Sequence, residues 1–333
     1  MNRTSEIIRA FIQKNAVFVC LVVIILIISI VSPGFLEYRN LINTVRRAAA
    51  LGILSIGQTV VVVSGGIDLS VAAVMQLAGV TLAEITRGND TMVVPATLLV
   101  VFLGAAIGMF NGFLVAKRNV QPFISTLFVG LLLTGIRLLV TRASPSGVVP
   151  PMIRRLGGGS TLFIPNAVLL FAAVVIVVGF ILNRTVLGRG FYSTGGNRKV
   201  AFLSGLATDR IIIVSYVFSG VLAAIAGVVL IGYLGYADQG IGLGYDLDSI
   251  AAVAIGGAVL GGGKGTVSGT VAGVLLMAIL LNLVLVLGLR VEFQLVVRGV
   301  VIIAAVALHS MTWTRASTRR KGGSEYEEGL TEA

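Results

Sequence analysis

Charge is scarce in this sequence. Only 12% of its 333 residues are Asp, Glu, Lys or Arg, against about 25% in ordinary soluble domains, and that deficit excludes a water-soluble globular protein. Histidine and cysteine occur once each. A lone Cys20 forbids an intrachain disulfide and a cysteine metal site. A lone His309, near the inner end of the last apolar run, excludes a triad, a histidine-based metal site or a haem pair. Acids number 14 against 25 bases, for a formal net charge of +11 and a pI near 10.4. Nucleic acid is not the partner this implies. The bases sit in short clusters between apolar runs, such as Lys117 with Arg118, or Arg315, Arg319, Arg320 and Lys321, with no interleaved aromatics to stack on nucleotide bases. They read as topology signals.

What is abundant is apolar sequence. Hydrophobic residues make up 56% of the chain, its mean hydropathy is +1.02, and uncharged runs reach from Thr91 to Ala116, more than one core can hide from water. The solvent is lipid. The first run, Ala16 to about Val31, is longer than the h-region of a secretory signal and lacks a small-residue cleavage site after it, so it is kept as a mature transmembrane helix.

A bilayer core of about 30 Å takes about 20 helical residues to cross, and lipid offers no partner to an open backbone. The expected fold is therefore an all-α polytopic membrane protein with about ten transmembrane helices. The runs are Ala16 to Ser32, Ala48 to Ser64, Leu69 to Thr86, Met92 to Ala116, Phe123 to Arg142, Pro165 to Asn183, Ile211 to Leu234, Ser249 to Leu260, Thr266 to Leu287 and Phe293 to Trp313. Leu69 to Thr86 and Ser249 to Leu260 are short or interrupted by glycine pairs and read as half-helices or re-entrant segments. Ten crossings put both termini on one side. The excess of Lys and Arg assigns that side to the cytoplasm, with Arg46, Arg47, Arg154 and Arg155 as exceptions.

The chain divides into a cytoplasmic N-terminal segment (1–15), a transmembrane domain (16–313) and a cytoplasmic tail (314–333) whose basic, Gly-rich, then acidic composition suits disorder. Prolines 145, 150 and 151 and three successive glycines make Ala143 to Ile164 an outer-face loop without a long helix. The cytoplasmic loop 184–210 has five basic residues, and its stretch Arg198 to Leu206 is expected to form a helix on the membrane surface that a partner can grip.

Reactive chemistry is missing. GGGKGT at Gly261 to Thr266 is not a phosphate loop, because Gly265 follows Lys264 where Ser or Thr is needed. Asp68, in SGGIDLS, is the one candidate for a mid-membrane acid. A carboxylate at the bilayer centre costs about 2.5–3.5 kcal/mol, so a place near a surface, capping the following helix, is cheaper. Asp68, Gln58, Asn111, Gln121, Thr126 and Asn282 are the candidates for a translocation pathway, the five uncharged ones being suited to a neutral polar solute; taken singly, each of those five is better suited to bonding helices together. Gly104 with Gly108, Gly220 with Gly227, and Gly269 with Gly273 report close helix packing.

Several blocks carry a resemblance over nearly the whole chain: SPGFLEYRNLIN (32–43), GQTVVVVSGGIDLSVAAV (57–74), NGFLVAKRNVQPFISTL (111–127), GRGFYSTGGNRKVAFLSGL (188–206) and GYDLDSIAAVAIGGAVLGGGKGTVSGTVAG (244–273), then Asn282 and FQLVVRGVVIIAAV. In order and spacing the chain resembles the ribose-type permease subunits of bacterial ATP-binding-cassette sugar importers. The resemblance implies a multi-pass protein of the bacterial plasma (inner) membrane that supplies the pathway for a neutral sugar and is not itself an enzyme. The implied partners are two cytoplasmic ATP-binding subunits, a second permease copy or a related permease, and an extracytoplasmic sugar-binding protein. No cofactor is expected in this chain; ATP and Mg belong to the partner ATPase. Uptake of nucleosides, branched-chain amino acids or a sugar-derived signal is the alternative, and an ion-coupled secondary carrier the less favoured one. By the same resemblance Gly195, Gly196, Asn197, Lys199, Leu203, Ser204 and Gly205 form the segment that couples to the ATPase. Where relatives commonly read Glu-Ala-Ala after GGN, this chain has Lys199, Val200 and Ala201, a reversed charge that points to a partner with an acidic groove. Ala72 and Asp246 also stand where relatives often have Gly and Glu.

Overall fold

The computed structural model describes residues 16–31, 33–290, 292–301 and 303. The N-terminal segment, the tail, His309 and most of the expected run Phe293 to Trp313 lie outside the described residues. The chain is helical: α1 (Ala16–Val31), α2 (Tyr38–Val63), α3 (Val71–Thr86), α4 (Val93–Lys117), α5 (Pro122–Val140), α6 (Pro151–Gly158), α7 (Asn166–Arg184), α8 (Val186–Gly196), α9 (Arg198–Leu203), α10 (Thr208–Leu234), α11 (Tyr245–Ile255) and α12 (Val267–Val286). Residues 293–301 are also helical. A two-residue hairpin pairs β1 (Ser160–Thr161) with β2 (Ile164–Pro165).

Six of the expected ten crossings are helices long and apolar enough among the described residues: α2, α4 with the turn before it (Asp90–Lys117), α5, α7, α10 and α12. Val17–Ile30 and α3 are apolar but shorter, and α11 has only 11 residues. α2 starts at Tyr38, ten residues before the uncharged run does, because the helix carries Arg46 and Arg47 inside it. Arg46 donates to Ser160 Oγ (2.8 Å) and Arg47 to Tyr233 Oη (3.0 Å). Hydropathy alone stops at such residues; the backbone does not. The loop 143–164 holds no long helix, only the eight-residue α6, which begins on Pro151, a residue preorganised for a first helical turn.

Burial does not follow hydropathy. α2, the least apolar of the six, is 83% buried along its most apolar stretch, whereas α7, among the most apolar, is 22% buried. Lipid rewards greasy outer surfaces, and interior packing uses small and polar residues instead. α10 lies beside α2 and packs on α4, α3 and α6 through glycines. A Cβ on Gly104 or Gly220 would overlap the other's carbonyl, one on Gly227 would overlap the Met75 carbonyl, and one on Gly157 would overlap the start of Tyr233. The close packing read from Gly104, Gly108, Gly220, Gly227, Gly269 and Gly273 is present at each of them.

Two ends follow from this arrangement. At one lie the C-terminus of α2, the α4–α5 turn, α8, α9 and the loop 256–266; Gly263 N donates to Val63 O (2.9 Å) and Arg198 to Ala116 O (2.8 Å). At the other lie the loops around 87–92, 141–165 and 235–244, tied by Glu84 accepting from Ser146 N (2.7 Å) and Asp90 from Met152 N (2.9 Å).

Candidate functional site

Both α2 and α11 stop at glycines and continue as non-helical backbone before the next helix begins. After α2, Gly65 takes φ +90°, a conformation glycine adopts without steric cost, and the chain turns through Ile67 to Ser70 before α3. Backbone that leaves a helix needs partners of its own, and side chains serve it. Four helices and the break itself supply them. Asp68 Oδ1 accepts from Ser70 N (2.9 Å) and Ser70 Oγ (2.6 Å), and Oδ2 accepts from Ser219 Oγ of α10 (2.8 Å). Asn111 of α4 donates to Ser70 Oγ (2.9 Å). Leu69 N donates to Thr126 Oγ1 of α5 (3.0 Å) and Tyr216 Oη of α10 to Ile67 O (3.2 Å). Gln58 of α2, its amide turned to complete the network, donates to Asp68 O (3.1 Å) and accepts from Asp68 N (3.2 Å).

Gln58, Asp68, Asn111 and Thr126 are each at most 1% exposed. The network brings these four together as a packed lock on the chain break. Asp68 does not cap the first turn of α3, as the sequence suggested; it holds Ser70, one residue earlier. Gln121 and Asn282 stand apart, from the lock and from each other. Gln121 is exposed at the mouth of a cavity of about 310 Å³ that is also lined by Gly65, Thr194, Arg198 and Tyr216. Asn282 is buried toward the opposite end, donates to Asn40 Oδ1 (3.0 Å) and lines a separate cavity of about 200 Å³. Sequence reasoning passed over Ser70, Tyr216 and Ser219. A Ser or Tyr in an apolar run is unremarkable until its helix is known to face a break.

The loop 184–210 forms two helices rather than one. Thr185 caps α8 by accepting from Gly188 N (3.1 Å), and Asn197 caps α9 by accepting from Val200 N (3.0 Å). Asn197 thus ends one helix and starts the next. Gly195 is pressed against the end of α2 so closely that a Cβ would overlap the Val63 carbonyl; one on Gly262 would meet Gly195 O at 2.5 Å, and one on Gly263 would meet Gly196 Cα at 2.7 Å. Tyr192 Oη donates to Gly265 O (2.8 Å), and burial pushes its phenol up, keeping it a neutral donor. Backbone-to-backbone contact thereby joins α8 to both chain breaks. Lys199 and Ser204 are exposed, and Phe202 and Leu203 are 66% and 74% exposed. The surface helix expected to reach Leu206 ends at Leu203, and Gly205 follows at φ +84°. That φ excludes a proline at this position, because its ring fixes φ near −65°.

Charge separates the two ends. Among the described residues, Lys117, Arg118, Arg184, Arg189, Arg198, Lys199, Arg210 and Lys264 gather at the α8–α9 end with Asp209, which pairs with Lys117 (2.8 Å) and Arg198 (2.9 Å).

Comparisons with known proteins identify the family. A family described as "Branched-chain amino acid transport system / permease component" matches residues 40–306. The ribose import permease protein of Escherichia coli (strain K12) is 37% identical over 302 residues, covering 90% of this chain and 94% of that protein. The corresponding protein of Bacillus subtilis (strain 168) is 37% identical over 299 residues, covering 89% and 92%. The D-allose transport system permease protein of Escherichia coli (strain K12) is 33% identical over 299 residues, covering 90% and 92%. No solved structure matches the chain significantly. With the family match spanning most of the sequence and these relatives covered nearly end to end, the chain belongs to this family of membrane-embedded transport-system permease components.

Proposed function

We propose that the chain is the permease subunit of a bacterial ATP-binding-cassette importer and provides the pathway for a neutral sugar across the inner membrane. One observation carries this: relatives named for ribose and allose transport align with about nine-tenths of the chain at 33–37% identity. The six long apolar helices support the membrane location. On this reading α1, α3, α11 and the helix beginning at residue 293 complete ten crossings, and the basic α8–α9 end faces the cytoplasm with both termini. Residues 1–15 and 314–333 flank the permease domain.

The coupling surface is the exposed ridge of α9. Phe202 and Leu203 offer apolar area to a partner, while Asn197, Lys199, Ser204 and Gly205 border it, and Gly195 and Gly196 carry its displacement into the two chain breaks. Cytoplasmic ATPases with an acidic groove supply the force and hold ATP and Mg; an external sugar-binding protein delivers solute; a second permease completes the pathway. Gln121 and Asn282 meet the solute at the two ends. Gln58, Asp68, Asn111 and Thr126 hold the break between them, so the subunit shifts between two packed arrangements rather than deforming continuously.

The test is reconstitution. Vesicles holding the complete complex are expected to accumulate labelled ribose or allose only with ATP and the binding protein; uphill accumulation by this chain alone overturns the reading. The family's description favours one second reading, branched-chain amino acid uptake, and labelled leucine in the same vesicles decides between them.

A further inference from the structure

At the end opposite α9, on the flank of the helix bundle, an apolar groove of about 530 Å³ runs between the first turns of α4, α6 and the start of α7. Val93, Ile153 and Val228 form a buried floor, whereas Val94, Leu98 and Met152 stand 53–66% exposed along it. α4 and α7 are both long and apolar enough to cross a membrane, so the groove opens sideways on lipid. Its rim, at the helix ends, is polar. Arg155 and Asn166 line it there, and Asn166 donates to Arg155 O (2.8 Å). Arg155 is exposed and takes no part in any ion pair among the described residues. The acid at this rim, Asp90, is engaged in accepting from Met152 N (2.9 Å).

The hairpin beside the rim fixes its level. Asn166 Oδ1 accepts from Thr161 Oγ1 (2.7 Å), which joins hairpin to groove. With Thr161 opposite Ile164, the turn is Leu162–Phe163, and both residues have positive φ, +49° and +70°. Such a two-residue turn favours Asn-Gly, because bulky side chains in the left-handed region crowd their own backbone. Here two bulky apolar residues occupy it and are 86% and 87% exposed. No contact within the chain offsets that conformation, and in water the exposure is itself unfavourable. An apolar medium removes the second cost. A Leu-Phe tip immediately before a membrane-spanning helix, with arginines nearby, has the composition of a segment lying at the head-group boundary of a leaflet.

The ligand's chemistry follows from groove and rim together. An acyl chain suits the apolar walls, and a phosphate suits an unpaired guanidinium, whose planar fork matches its oxygens. Arg154, exposed next to Arg155, adds positive charge that favours a head group with a net negative charge. We propose that α6, the hairpin and the first turns of α4 and α7 form a binding site for one anionic phospholipid, with an acyl chain in the groove, the phosphate on Arg155 and the Leu162–Phe163 tip in the same leaflet. The site is lateral to any pathway and is independent of which solute is carried.

The test places a fluorophore in the groove. Leu98→Trp with Trp313→Phe leaves one indole, on the groove's open edge. The full chain is reconstituted in vesicles of dioleoylphosphatidylcholine and dioleoylphosphatidylglycerol, with one or the other brominated along its acyl chains. Quenching is expected to report about a fivefold preference for phosphatidylglycerol at this position, lost in Arg155→Gln. Phe180→Trp in the same background, a lipid-facing position 62% exposed before substitution, is expected to report no preference. Equal quenching by the two lipids at Leu98→Trp overturns the anionic site, and a preference that survives Arg155→Gln overturns the phosphate contact. Phe163→Trp is expected to be quenched by either brominated lipid. An indole there that lipid does not quench, but whose emission shifts when an external binding protein is added, assigns the tip to a protein partner and overturns its place in the leaflet.

Discussion

The two ends of this molecule are built on opposite plans. At the α8–α9 end, glycine backbones touch directly, charge is almost all of one sign, and apolar side chains point outward from a short helix. At the other end, cavities are lined by tyrosines and by acids and arginines in mixture. Contact without side chains transmits a displacement with little slack, whereas mixed polar walls suit a neutral solute. On the proposed function the comparison teaches that force and solute contact are assigned to separate ends, with the Asp68 lock between them.

Asp68→Ala should break the division most severely, because it strands donors on Ser70 and Ser219 at once. Removing one partner of a buried charged network costs about 3–5 kcal/mol, read as a large fall in the thermal transition in detergent. Asp68→Asn should cost only about 1 kcal/mol, since the amide oxygen still accepts from Ser70 and the Ser219 hydroxyl can reverse to accept. Equal damage from both variants would show that the negative charge itself holds the lock, whereas loss of an ion dependence of uptake in Asp68→Asn would favour an ion-coupled carrier.

A matched pair of glycine substitutions sharpens the comparison directly. Gly195→Val and Gly157→Val both drive a side chain into backbone, at about 2–3 kcal/mol of overpacking each. Only the first should separate ATP hydrolysis from sugar uptake; the second should lower thermal stability and leave the ATP consumed per sugar unchanged. Uncoupling by Gly157→Val would erase the distinction. Tyr192→Phe removes the bond to Gly265 and should weaken coupling by about 1 kcal/mol, seen as a several-fold loss of uptake at fixed ATPase rate. Asp209→Asn should have the smallest effect, under about 1 kcal/mol, because its carboxylate is 36% exposed and its pairs are screened; raising salt should mimic it in the wild-type ATPase assay.

Much of this was legible in the sequence. Uncharged runs marked the long helices, glycine spacing marked close packing, and the glycine pairs beside Asp68 and after Ile255 marked the breaks. The start of α2 was hidden because Arg46 and Arg47 reach partners more than a hundred residues away. The pathway candidates were chosen for polarity, and polarity alone does not distinguish a group that bonds solute from one that bonds a neighbouring helix. Gln58 and Asn282 look alike in sequence; one clamps the backbone of Asp68 and the other lines a cavity. Asp248 and Arg298 were visible as charges, but their pairing at 2.8 Å depends on how α11 meets the final helix, which no local pattern encodes.

The least greasy helix lies at the centre, and that has a consequence for biogenesis. During synthesis α2 leaves the ribosome long before the hairpin that carries Ser160 and the helix that carries Tyr233. Arg46 and Arg47, two of its three arginines, then face the insertion machinery without company, at a penalty of about 2.5–3.5 kcal/mol each if they sit mid-bilayer. Stable threading of this segment is therefore a late event: the first half of the chain waits, shallowly embedded, for the second half to be made.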